Sequence, residues 1–151
     1  MRIVLAVLAA IVAPAGIMIA LYLYGQFTTF EAGDPYIWIR TRNFSIICLL
    51  VSTLYVVVLG LPAYLLLRWR HAIRWWSTLI AGFVLAAVPL AILVWPLRFA
   101  GPGSSASVNG VATMIDGVPT MAGWVQYLAG VGQMGALGVV GAFAFWLVQR
   151  R

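Results

Sequence analysis

The sequence predicts an all-α membrane protein. It is a four-transmembrane-helix bundle made of two helical hairpins, with both termini on the cytoplasmic side. Three observations lead there. Hydrophobic residues make up 64% of the 151-residue chain and charged residues only 8%, against about 45–50% and about 25% in soluble domains. Mean hydropathy is +1.05, so the bilayer is the solvent for most of this surface. The apolar residues fall in four runs, each near the ~20 residues that cross a ~30 Å hydrocarbon core as a helix. The arginines flank those runs unequally. The length allows a single integral domain, 1–151.

The first span is read at residues 3–24. Its start, Met1-Arg2 before an apolar stretch with Ala13-Pro14-Ala15, has the outline of a signal peptide. Hydrophobicity continues through Tyr24, however, so an uncleaved span is expected. Pro14 and Gly16 should kink it, which neighbouring helices can accommodate. Residues 25–43 are read as the first outer loop, with turn chemistry at Glu31–Pro35. Its aromatic stretch Tyr36–Arg40 is expected to lie in the membrane interface.

The second span is placed at 44–67. Ser45, Ser52 and Thr53 bring hydroxyls that can bond to helix backbone, and Pro62 should bend the helix because it removes a backbone donor. A basic turn, 68–74, follows. The third span is placed at 75–97. Pro89 within it calls for shielding by protein or water, so this stretch should face another helix.

Residues 98–120 are read as the second outer loop. Asn109-Gly110 and Asp116-Gly117 are strong tight-turn pairs, with apolar residues around them. A small hairpin or compact loop on the outer membrane face is expected, and Thr120 can cap the next helix. The fourth span is placed at 121–148. Its centre is thin: Gly130, Gly132, Gly135, Ala136, Gly138, Gly141 and Ala142 let backbones approach closely. The glycines at 132, 135, 138 and 141 step by three and wind half-way round the helix. This helix should be central. Gln133 at mid-depth is expected to pin its packing through an interhelical hydrogen bond.

Arginine near span ends is retained in the cytoplasm. One side would hold Arg2, Arg68, Arg70, Arg74, Arg150 and Arg151. The other holds Arg40, Arg42 and Arg98, offset by Glu31, Asp34 and Asp116. Trp69, Trp75 and Trp76 fall at the inner boundary and set the depth of the basic turn. Arg68, Arg70 and Arg74 are then topology charges that meet anionic headgroups, and His71 beside them is an interfacial residue. All nine basic residues are arginines flanking apolar runs, so no nucleic-acid partner is expected; the absence of lysine hints at a GC-rich bacterial genome.

Chemistry is thinly represented. No span carries an ionised residue at its middle, which argues against ion-coupled transport. Cys48 is the single cysteine, so neither a disulfide nor a cysteine metal cluster is available. His71 lies on the opposite side of the membrane from Ser104, Ser105 and Ser107, so no serine–histidine pair forms. No cofactor or metal site is predicted. Asp116 with Glu31 or Asp34 on one outer face is the remaining candidate for acid–base work. The expected function is non-catalytic: a small protein of a bacterial inner membrane acting by helix–helix or outer-loop contacts, as an accessory subunit of a membrane complex or an immunity-type protector. The expected partners are the lipid bilayer and either a membrane protein or a second copy. The alternatives are a homo-oligomeric channel or small-solute facilitator, and a membrane-surface enzyme using the outer carboxylates.

Overall fold

The computed structural model describes residues 2–29, 35–69, 74–99, 101 and 103–150. The protein is mostly helical, 82%, and four of its helices are long and apolar enough to cross a membrane. Helix α1 is Arg2–Thr29. Helix α2, Ile37–Tyr55, runs into a π-helical turn, Val56–Gly60, and continues as α3, Leu61–Trp69. Helix α4 is Trp75–Leu93 and α5 is Met121–Arg150. A 3₁₀ turn, Pro96–Phe99, follows α4.

The ends of these helices differ from the expected spans in ways the side chains explain. The expected first loop, 25–43, is shortened from both sides. In α1 the Thr28 hydroxyl donates to the Tyr24 and Gly25 carbonyls, both at 3.0 Å. In α2 the hydroxyls of Thr41 and Ser45 donate to the carbonyls of Ile37 and Thr41, at 2.8 and 2.7 Å. Polar residues that satisfy themselves on helix backbone can continue a helix. The interfacial segment expected over Tyr36–Arg40 is therefore the first turn of α2, with the Arg40 amide bonded to the Tyr36 carbonyl. Helix α4 stops at Leu93, short of residue 97, just before Pro96. Residues beyond a helix end commonly include proline, because it cannot continue the ladder.

Pro62 acts locally. In a regular α-helix its ring would press on the Val58 carbonyl, four residues back. Instead the Leu61 amide reaches the Val56 carbonyl, five residues back. The wider turn absorbs the clash, as π-turns inside α-helices do.

The expected hairpin is larger than anticipated, so the chain is not purely helical. Strands β1 (Ala106–Val108), β2 (Val111–Ile115) and β3 (Val118–Pro119) form an antiparallel sheet in the order β1-β2-β3. Both turns are set by residues with positive φ: Asn109 at 52° and Gly110 at 79°, then Asp116 at 48° and Gly117 at 80°. Positive φ at both central residues matches the strand twist. The sheet is fastened to the start of α5. Thr120 donates its amide to the Thr113 carbonyl at 3.0 Å and its hydroxyl to the Ala112 carbonyl at 2.7 Å. The same hydroxyl accepts the Gly123 amide at 3.2 Å, which makes it an N-cap. Gly123 has to be glycine here, since a Cβ would collide with the Thr113 carbonyl.

Helix α5 is the shared partner of α1 and α4, and α2 packs on α1. The close contacts with α4 run through Gly82, Phe83 and Ala86, facing Gly135, Gly138 and Ala142. The contact with α1 is different. Pro14 leaves the Ala10 carbonyl without its helical donor, and that oxygen lies 3.1 Å from where a Gly141 Cβ would stand. The carbonyl that Pro14 frees in one helix and the missing side chain in the other thus meet. Two aromatic groups mark the end nearer the sheet. Tyr22 stacks on Phe44 with centroids 4.2 Å apart, and Trp95, Trp124 and Tyr127 form an edge-to-face trio. Tyr127 also donates to the Ala91 carbonyl at 3.1 Å.

Candidate functional site: an apolar cavity inside the bundle

The interior of the bundle is incompletely filled. Among the described residues the buried hydrophobic core consists of Ala6, Ala10, Ile11, Ala15, Ala87 and Phe145, and no large side chain is fully buried. Small residues bring the α1, α4 and α5 backbones together, but α2 and α3 stand off from α4. A cavity of about 320 Å³, open on one side, is left among the four long helices. Protein interiors are normally packed as densely as organic crystals, so an opening of this size between the helices stands out.

Each wall has a structural cause. Helix α1 contributes Val7, Ala10, Pro14, Ala15 and Met18, where Pro14 lacks the amide that would bond the Ala10 carbonyl. Helix α2 gives Phe44, Ile47, Cys48, Val51, Ser52 and Tyr55. Val56 and Gly60 of the π-turn line the cavity, followed by Leu61, Ala63, Tyr64 and Leu67 from α3. Helix α4 presents Thr78, Ala81, Gly82, Leu85 and Ala86, and α5 adds Met134, Leu137, Gly138, Gly141, Ala142 and Phe145. Thr78 is satisfied on its own helix, donating to the Arg74 carbonyl at 3.0 Å. The surface facing the void is accordingly almost wholly apolar.

One end of the cavity is flanked by a cluster. The Tyr64 ring meets Phe145 edge-on, with centroids 5.1 Å apart. The Gln149 side-chain amide donates to the Tyr64 hydroxyl. Val7, Val56 and Val148 pack around Ala6, Ala10 and Phe145. Beside this cluster lies an open recess lined by Arg74, Trp75, Trp76, Trp146, Gln149 and Arg150. Arg150 sits over the Trp146 ring at 4.9 Å from the centroid, within cation–π range.

The residues singled out from sequence divide. Gly135, Gly138, Gly141 and Ala142 stand where α5 meets its neighbours. Gly130 and Gly132 do not: a Cβ at either would have nothing within 4 Å, and Ala136 is exposed. Gln133 is exposed as well, on a face of α5 turned away from α4. The reason is periodicity. Two residues correspond to about 200° round a helix, so Gly135 facing α4 turns Gln133 outward. Arg68, Trp69, Arg74, Trp75 and Trp76 are exposed, with Trp69 at 78%. Arg70 lies outside the described residues.

Asp116 is exposed in its turn and its amide donates to the Ser105 hydroxyl at 3.4 Å. Glu31 and Asp34 lie outside the described residues, so no carboxylate pair is placed. Among the described residues, no three histidine, cysteine or acidic side chains gather where a metal would be held.

Several residues of the cavity escape a reading of the sequence. Tyr64 and Phe145 are unremarkable members of apolar runs, and only their contact between α3 and α5 joins them. Gly82 was detectable as the sole glycine of α4. Pro14 and Pro62 are visible as helix breakers, but not as neighbours of one cavity. Comparison of the chain with protein families, curated proteins and solved structures found no match.

Proposed function

We propose that the protein is a non-catalytic, multi-span protein of a bacterial inner membrane that acts by binding, and that its guest is an apolar molecule drawn from the bilayer. It is arranged as two hairpins with both termini cytoplasmic. Arginine distribution supports that orientation, since the end of the bundle bearing Arg2, Arg68, Arg74 and Arg150 is the one positive charge would retain inside.

The single observation carrying the binding role is the central cavity of about 320 Å³. An apolar cavity of about 150 Å³ stays dry and takes up benzene, so this one has room for a larger hydrocarbon. A whole partner helix does not fit. At about 10 Å across, a helix would occupy this volume with roughly 4 Å of its length, less than one turn. A single flexible chain is the shape that suits. The test is native mass spectrometry of protein purified in mild detergent. The wild type should carry a lipid-sized adduct, and Ala81→Leu, which projects a side chain into the void, should carry less. A bare wild-type mass in every detergent would contradict the proposal.

A second contact surface has its own support. Gln126 and Gln133 are exposed seven residues apart on α5, with Ala129, Gly130 and Ala136 exposed around them. An amide facing hydrocarbon is poorly satisfied, and a second helix could approach these small residues closely. This face suits the accessory-subunit, protector or homo-oligomer roles. Gln133→Leu should then reduce the assembled mass while leaving the cavity adduct unchanged.

A further inference from the structure

The geometry points to an anionic phospholipid as the guest, with one acyl chain in the central cavity and its phosphate in the recess between Arg74 and Arg150. This rests on the proposed uptake of a bilayer molecule and adds which molecule it is. The two voids share a border. Tyr64 lines the cavity and Gln149 the recess, and the two side chains are hydrogen-bonded to each other. Arg74 caps α4, and Thr78, Ala81 and Leu85 follow it at steps of four, three and four residues. That spacing draws one stripe along a helix. Its first member lines the recess and the other three line the cavity. From Arg74 to Leu85 the stripe is ~16 Å long, a track leading from headgroup depth into the bundle.

Charge selects the headgroup. The one acid among the described residues, Asp116, lies beyond the opposite end of α5. That helix has 30 residues, so Asp116 and Arg150 are separated by ~45 Å. The guanidiniums of Arg74 and Arg150 therefore face the recess without a described carboxylate near them. Trp75, Trp76 and Trp146 complete the recess, and tryptophan favours headgroup depth. A phosphate diester answers two arginines, and the attached chain answers the apolar track.

The test offers the purified protein equal amounts of phosphatidylglycerol and phosphatidylcholine with identical chains, and reads bound lipid by native mass spectrometry. Each arginine near an anionic headgroup is expected to favour the anionic lipid about fivefold, so the wild type should prefer it by roughly 30-fold. Arg74→Gln should lower that to about fivefold. Arg74→Gln with Arg150→Gln should bind the two lipids equally while still retaining lipid. Equal binding by the wild type would overturn the headgroup assignment and leave the cavity's role standing. Retention of neither lipid by well-folded wild type, checked by circular dichroism, would overturn both. A preference unchanged in the double variant would also overturn the assignment.

Discussion

Replacing Gly138 by alanine should separate the two helices that hold the bundle together. A Cβ at Gly138 would collide with the Gly82 carbonyl and stand 2.6 Å from Ala86 Cβ. The first obstacle is backbone and cannot swing aside, so α4 and α5 must move apart. Overpacking of this kind costs about 1–3 kcal/mol. Alanine also favours helix over glycine by about 1 kcal/mol, which partly masks the cost. Gly130→Ala supplies the control, because its Cβ would meet nothing within 4 Å. The propensity gain is common to both variants, and the difference between them isolates the contact. Gly130→Ala should match or exceed the wild type in stability, with Gly138→Ala about 1–3 kcal/mol below Gly130→Ala. Gly135→Ala should fall between, since its Cβ would meet the Phe83 ring, a side chain able to rotate. Reversible denaturation in mixed micelles, followed by circular dichroism, measures all three. Equal stability of Gly138→Ala and Gly130→Ala would refute the close α4–α5 packing.

Three other outcomes follow from the same contacts. Tyr64→Phe removes the acceptor for Gln149 but keeps the ring against Phe145, so it should cost about 0.5–1.5 kcal/mol, while Phe145→Ala should cost about 3–5 kcal/mol in the same assay; a reversed ranking would contradict the packing of this cluster. Asp116 has positive φ, which asparagine also tolerates. Asp116→Asn should leave the sheet intact and Asp116→Val should weaken it by about 1–2 kcal/mol, read as amide exchange at Val111–Ile115; equal exchange in the two variants would count against the turn. A reporter fused after Arg151 should be active only in its cytoplasmic form, and activity from the outside alone would invert the topology.

The helices were legible because each property that makes them is local. Four apolar runs of sufficient length announce four candidate spans, and Pro62 announces a distortion near its own position. Asn109-Gly110 and Asp116-Gly117 likewise announce turns through their own backbone preferences. The limits of α1 and α2 were less visible. Thr28, Thr41 and Ser45 look like loop polarity in a sequence, yet each bonds to the preceding turn of its own helix. Which glycines matter was not legible at all. Gly130, Gly132, Gly135 and Gly138 are equivalent as letters, and only the direction of α4 relative to α5 distinguishes them. The cavity belongs to the same class. It exists because α1, α4 and α5 share small contacts while Pro14 and the π-turn before Pro62 shape the remaining walls. No single segment records that.

The most direct test of the cavity's role is a photoactivatable phospholipid with a diazirine in its acyl chain, cross-linked to the protein in vesicles and mapped by peptide mass spectrometry. Outward-facing Leu50 and Leu54 are 66% and 60% exposed, so a lipid acting only as solvent should label them strongly. An occupied cavity predicts adducts concentrated on Ser52, Leu85 and Met134, lost in Ala81→Leu. Labelling that simply follows exposure, with Leu50 and Leu54 dominant and Leu85 and Met134 unmarked, would contradict it.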